Sequence, residues 1–167
     1  LAMESRGTDL VSESLEYNWF RKQMSYGDLN SSHIYTYMHW TTLYNVIIDA
    51  NKAWQDFGER REESLFQFYL AQASALRAFS YFYLAQLYQQ TYVGNEDQPC
   101  VPIVSGAYQY IVEKEQCPRA TVREVYDYIL QDLDMAEHLL SETTVVNVGK
   151  YLVTRQVING LRARVYM

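Results

Sequence analysis

Three prolines, seven glycines and two cysteines in 167 residues leave few places to break the chain and little with which to staple it. Such scarcity excludes low-complexity and disulfide-dense scaffolds; with 49% apolar and 20% charged residues the profile is that of one ordinary globular domain. Long apolar runs are missing too. Val46-Ile47-Ile48 is cut by Asp49, and Ala71 to Leu87 is interrupted by Arg77 and glutamines, so no stretch reaches the ~18 uncharged residues of a bilayer span. The start, LAMESRGTDL, lacks a basic segment, an apolar segment and a cleavage site, and reads as folded sequence from which any targeting segment has been left out.

Positive charge is also in short supply. Fourteen Lys and Arg face twenty Asp and Glu, for a net charge of −6, and the basic residues are scattered except for Arg60-Arg61. Binding to phosphate backbones needs a clustered basic face, so nucleic acid is not an expected partner. The two cysteines, Cys100 and Cys117, sit in no CxxC or Cys/His cluster, which gives no metal site and no redox pair. They flank a loop-like segment, and two readings stay open. In an oxidising compartment they close that loop as a disulfide worth roughly 3 kcal/mol; otherwise they are two partly buried thiols.

Catalytic patterns are absent as well. His33 and His39 are too far apart to share a helix face as HExxH histidines do, and there is no GxSxG, no glycine-rich phosphate loop and no EF-hand spacing. Asp132 and Asp134 diverge by about 200° on a helix, whereas paired-carboxylate hydrolysis needs two groups converging on one bond. The chain reads as a binding protein, not an enzyme, and no cofactor is implied.

Tyrosine is what the chain has in excess, 16 of 167 residues. Its apolar ring and polar tip suit both helix packing and stacking on a polar organic ligand. Helical periodicity appears over Thr8 to Met24, from Ser32 to Phe57-Gly58, over Leu65 to Tyr92, from Thr121 to about Leu140, and from Thr154 onward. Gly58 is expected to end the second of these in a left-handed cap, and Ser64 with Gln67 to form a capping box before the third. That third helix shows two apolar stripes. Phe66, Tyr69, Ala73, Leu76, Tyr83 and Leu87 form one; Leu65, Phe68, Ala75, Phe79 and Phe82 form the other, so the helix must be covered on two sides. Its alanines let neighbouring helices approach closely, as in stacked helix pairs. Arg77 in its middle needs a carboxylate or carbonyl partner, and Asn45 and Asn51 are expected to bond neighbouring helix backbone.

Between Thr91 and Arg119 the helical pattern fails, with Pro99, Pro102, Gly94, Gly106 and Pro118 spread through it. This reads as a long structured loop. Thr121 and Glu124 then form a capping box for a helix with Val122, Val125, Ile129, Leu133, Ala136 and Leu140 inward. In the last helix Val157, Leu161 and Val165 point one way. It stops at Met167 without a cap, as if cut in mid-element.

Four pieces occur in order: WxxLYxxIxxAN at Trp40 to Asn51, ALRAFSYFYLAQLY at Ala75 to Tyr88, CVPIV at Cys100 to Val104, and RATVREVYDYILQDLDMAEHLL at Arg119 to Leu140. With TRQVINGLRARVYM at Thr154 to Met167, the series resembles the SusD/RagB family of outer-membrane nutrient-binding lipoproteins. The resemblance implies an all-α fold of tetratricopeptide-like helix pairs with a long structured loop. Residues 1–167 would be the N-terminal helical part of a SusD-like domain whose C-terminal lobe is absent. It further implies capture of nutrient oligosaccharides, or peptides in some members, at the cell surface and delivery to a SusC-like TonB-dependent transporter barrel. Attachment to the outer membrane would come through an N-terminal lipid anchor not present in this chain. The alternative from another class is an intracellular tetratricopeptide-type scaffold for a protein partner, against which the long loop argues.

Sugar binding pairs aromatic faces with planar polar groups. Aromatic and polar residues in loops and at helix ends are the ligand-binding candidates: Trp19, Tyr26, His33, Tyr35, Tyr92, Asn95, Tyr108 and Tyr110.

Overall fold

The computed structural model describes residues 33–104, 117–146 and 149–167. The expected helix over Thr8 to Met24 lies outside them. The chain divides into two compact units, Leu1–Thr42 and Leu43–Met167; the packing between elements described below is within the second, and the His33–Tyr35 contact is within the first.

In chain order the elements are α1 (Ile34–Phe57), a 3-10 turn (Gly58–Arg60), α2 (Ser64–Tyr88), β1 (Pro99–Pro102), β2 (Arg119–Thr121), α3 (Val122–Glu142) and α4 (Arg155–Tyr166). Helix α2 is the centre. The second half of α1 runs antiparallel along it: Trp54 Nε1 donates to Ser74 Oγ at 3.0 Å, and the Tyr44 ring meets the Tyr81 ring edge-on at 6.5 Å. Helix α3 also runs antiparallel to α2, from the Tyr81–Tyr128 ring contact at one end to Gln67 and Glu142 at the other. Ala71, Ala75, Ala78 and Ala85 are buried on α2, and their small side chains are what permit this approach. Successive antiparallel neighbours make this an all-helical, tetratricopeptide-like arrangement. Helix α4 is parallel to α2, tied by Gln72, which both donates to and accepts from the Val153 backbone, and by Arg162, which bonds Glu137 and Asp134 on α3.

Helix α3 starts as its sequence predicts. Thr121 Oγ1 accepts from the Glu124 N–H while Glu124 accepts from the Thr121 N–H, a complete capping box. These backbone and side-chain bonds hold the Glu124 carboxyl below the usual range. Thr154 caps α4 through the Val157 N–H.

Several details differ from expectation. Helix α2 ends at Tyr88, with Gln89 extended, and does not reach Tyr92. Ser64 makes no cap: it is the first helical residue, and its hydroxyl and carbonyl bind Thr143 and Thr144, stitching the start of α2 to the end of α3. Gly58 adopts no left-handed conformation, because the chain continues into a 3-10 turn closed by Arg61 N–H on the Gly58 carbonyl. The two stripes on α2 hold in part: Phe68, Ala73, Ala75 and Phe82 are buried, but Leu65, Tyr69, Leu76 and Phe79 are exposed, and the core also takes Leu70, Ala71, Ser74, Ala78, Tyr81, Leu84 and Ala85. Periodicity cannot choose among faces when nearly every face is apolar. On α3, Leu139 is the buried residue and Leu140 only packs against the cluster; on α4, Ile158 is buried and Val157 is half exposed. The expected loop contains a short antiparallel pair, β1 with β2.

Candidate functional site

The strand pair places the two ends of the segment 105–116 side by side, and the core holds them there through polar groups. Strand β1 and the two residues after it carry the sequence Pro99-Cys100-Val101-Pro102-Ile103-Val104, whose prolines and branched residues favour extended backbone and block helix. A chain entering a helical core this way must satisfy its amide groups individually. Tyr44 Oη donates to the Pro102 carbonyl at 2.8 Å. At Val104 both backbone groups are used: the carbonyl accepts from Asn51 Nδ2 at 2.7 Å, and the N–H donates to Tyr81 Oη at 2.8 Å.

Asn51 is aimed in turn by Arg77. Arg77 Nη1 donates to Asn51 Oδ1 at 2.6 Å, while Nε and Nη2 grip both oxygens of Asp132 at 2.8 and 2.6 Å. The guanidinium also lies over the Tyr128 ring, 5.3 Å from its centre. The ion-pair side chains are only 12% and 7% exposed. Burial pushes the Asp132 carboxyl up, and the hydrogen bonds and charge of Arg77 oppose that. The bidentate geometry is that of a guanidinium facing a carboxylate. Burial likewise raises the Tyr81 hydroxyl well above its ordinary value, so it stays protonated. Arg77 therefore has the structural partner expected of it, whereas Asn51 bonds the strand exit and not helix backbone.

The other arm is held by Arg119, which donates to the Pro99 and Cys100 carbonyls, and Gln89 donates to Pro99 as well. Cys100 and Cys117 are free thiols in the structure. Cys100 is buried, which raises its thiol pKa, and Cys117 Sγ lies 3.6 Å from the Ile103 carbonyl.

Beside this base, residues 91–98 form a tight turn docked on the N-terminus of α3. The Glu96 and Gln98 carbonyls accept from the Arg123 and Val122 N–H groups, partnering donors that a helix start leaves open. Gly94 takes φ +83°, a conformation only glycine adopts without cost. The Glu96 carboxyl is held below the usual range by the N–H groups of Glu96 and Gly94.

Four candidates are described. Tyr92 is half-buried with its ring 5.1 Å from that of Tyr126. Asn95 spends its amide on the turn, donating to the Thr91 carbonyl at 2.9 Å. His33 Nδ1 accepts from the Tyr35 N–H at the start of α1, and the two rings are 5.7 Å apart. Trp19, Tyr26, Tyr108 and Tyr110 lie outside the described residues. The structure thus brings Tyr92 and Asn95 together on one turn. The residues that sequence reasoning missed as a set are Tyr44, Asn51, Tyr81, Val104 and Asp132; the one available signal was a charge, Arg77, in the most apolar helix.

Antiparallel helix pairs that hold an extended strand exit at Pro102 and Val104 by buried polar contacts define a helical scaffold. The chain belongs to the SusD-like family described as starch-binding and associating with the outer membrane, whose model matches residues 2–167. It is 30% identical over 131 residues to a SusD-like protein of Formosa agariphila, covering 78% of this chain and 23% of that protein. Among solved structures it resembles a SusD-like carbohydrate binding protein of Bacteroides vulgatus, with a TM-score of 0.83, 26% identity, and coverage of 98% of this chain and 34% of the other. A SusD superfamily protein of Bacteroides fragilis gives a TM-score of 0.81 at 28% identity, over 99% of this chain and 38% of the other. The chain spans about a quarter to two fifths of the length of these relatives.

Proposed function

We propose that this chain is part of a cell-surface binding protein that captures nutrient oligosaccharides at the outer membrane and passes them to a SusC-like TonB-dependent transporter barrel, without catalysing any reaction on them. The observation that carries this reading is the family match over residues 2–167, with its starch-binding, outer-membrane description. The solved Bacteroides vulgatus relative, itself a carbohydrate binding protein, supports the ligand class. The anchored base of residues 105–116 supports a role for the neighbouring surface, since a binding segment gains from a rigid frame. Tyr92, beside Tyr126, offers an aromatic group of the kind that packs on a sugar ring. On this reading a lipid group holds the whole protein at the membrane.

Calorimetry of the full-length protein against a panel of starch-type and other glycans tests it. Saturable binding of at least one oligosaccharide, together with co-purification of a large barrel from detergent-solubilised outer membranes, is the expected result. Absence of both would remove it.

A further inference from the structure

Where the chain turns from α1 into α2 it leaves a cleft of about 410 Å³, open to solvent and lined by Trp54, Gln55, Gly58, Glu59, Arg61 and Glu62. That volume lies within the ~300–1,000 Å³ usual for small-molecule sites. Its apolar part comes from Trp54. This side chain is half-buried, and its indole is pinned at the inner end by the 3.0 Å bond from Nε1 to the buried Ser74 hydroxyl. Planar polar groups stand around it. Arg61 and Glu62 approach each other only to 3.7 Å and are both well exposed, and the side chains of Gln55 and Glu59 engage no partner among the described residues. The neighbouring Arg60 is already taken, paired with Glu63 and lying over the Phe66 ring.

Gly58 is the second observation. Its φ is not in the left-handed region, so the backbone there does not call for glycine. A Cβ added to it would meet only Trp54 Cε3, at 3.5 Å, an ordinary contact. The fold therefore accepts alanine at this position. What glycine preserves is the cleft, because a side chain longer than alanine's would occupy the space beside the indole.

We propose that this cleft is a subsite for a neutral glycan chain. Trp54 offers the apolar surface against a pyranose ring, and Gln55, Glu59 and Arg61 exchange hydrogen bonds with its hydroxyls. Two carboxylates against one guanidinium disfavour sulfated and uronic sugars. The subsite is separate from the Tyr92 turn, since the two flank opposite ends of α2, whose 25 residues span about 37 Å. A long glycan that reaches both gains affinity through effective concentration. The inference rests on the carbohydrate reading given above and adds a place on the chain that the Tyr92 turn does not supply.

Full-length protein labelled with 6-fluorotryptophan reads the cleft locally, the Trp54 fluorine signal being assigned by its loss in Trp54→Phe. The probes are maltohexaose, xylohexaose and mannohexaose, with hexagalacturonate as the anionic comparison. At least one neutral hexasaccharide is expected to shift the Trp54 signal saturably, and Gly58→Ala should keep that shift. Gly58→Gln, which fills the cleft, and the double variant Gln55→Ala, Glu59→Ala, which removes exposed hydrogen-bonding groups, should each raise the half-shift concentration by about fivefold or more. Calorimetric binding without movement of the Trp54 signal overturns the subsite and leaves the proposed function standing; absence of both removes the two together. A shift equally strong in Gly58→Gln, or given equally by hexagalacturonate, also overturns the assignment.

Discussion

Arg77 and Asp132, 55 positions apart, meet through two parallel hydrogen bonds of 2.8 and 2.6 Å in the seam between α2 and α3. A buried pair of this kind is costly to break on one side only. Asp132→Ala in the full-length protein is expected to lose about 3–5 kcal/mol, because it strands a buried guanidinium. The double variant Arg77→Met, Asp132→Leu is expected to lose markedly less than Asp132→Ala. Urea denaturation of the three proteins measures both numbers, and a double variant as unstable as the single one contradicts the expectation.

Val104 depends on two side chains for its amide groups. Tyr81→Phe keeps the ring in its packing against Tyr44 and Tyr128 and removes only the acceptor of the Val104 N–H. The expected loss is about 1–3 kcal/mol, the cost of an orphaned buried donor. Hydrogen exchange should show faster exchange at Val104 while amides of α3 away from Tyr128 keep their protection.

Glu124 couples the start of α3 to acidity. Its folded pKa lies below the ordinary carboxylate value of 4.5, so the stability it contributes is present above that value and is lost as pH falls through the lower, folded pKa. Glu124→Gln is expected to abolish this dependence. Measured as Tm against pH between about 5 and 3, the difference between wild type and variant should shrink toward acid; a constant difference would exclude the linkage.

Tyr92 tests the aromatic reading of the turn. Tyr92→Ala is expected to weaken oligosaccharide binding by roughly tenfold, the scale of one lost aromatic contact. Tyr92→Phe should retain most of the affinity. Equal affinities of wild type and Tyr92→Ala in calorimetry would leave Tyr92 as a packing residue against Tyr126.

Legibility in the sequence followed the physics of each signal. The capping box at Thr121 and Glu124 was readable because both of its bonds are local, and α3 was readable because its polar and apolar faces differ sharply. Helix α2 is legible as a helix and its buried face only in part, at Phe68, Ala73, Ala75 and Phe82, since almost every residue around it is apolar and only tertiary contact distinguishes Leu70 from Leu76. Ser64 looked like a cap by spacing, but the chain brings Thr143 and Thr144 to it from 79 and 80 positions away. The same holds for the candidate site. Arg77 announced that a partner must exist, whereas Asn51, Tyr81 and Val104 meet only through folding. Asn95, chosen for its amide, has that amide engaged in its own turn.

The double anchoring at Val104 and Arg119 bears on how such a protein diversifies. Because both ends of the intervening segment are fixed by the helices, lengthening it adds little: doubling a closed loop costs only about 0.6 kcal/mol. What fixes Val104 and Arg119 is therefore written into residues of the helices and strands, Asn51, Tyr81, Pro99 and Cys100, and not into the chain that joins them.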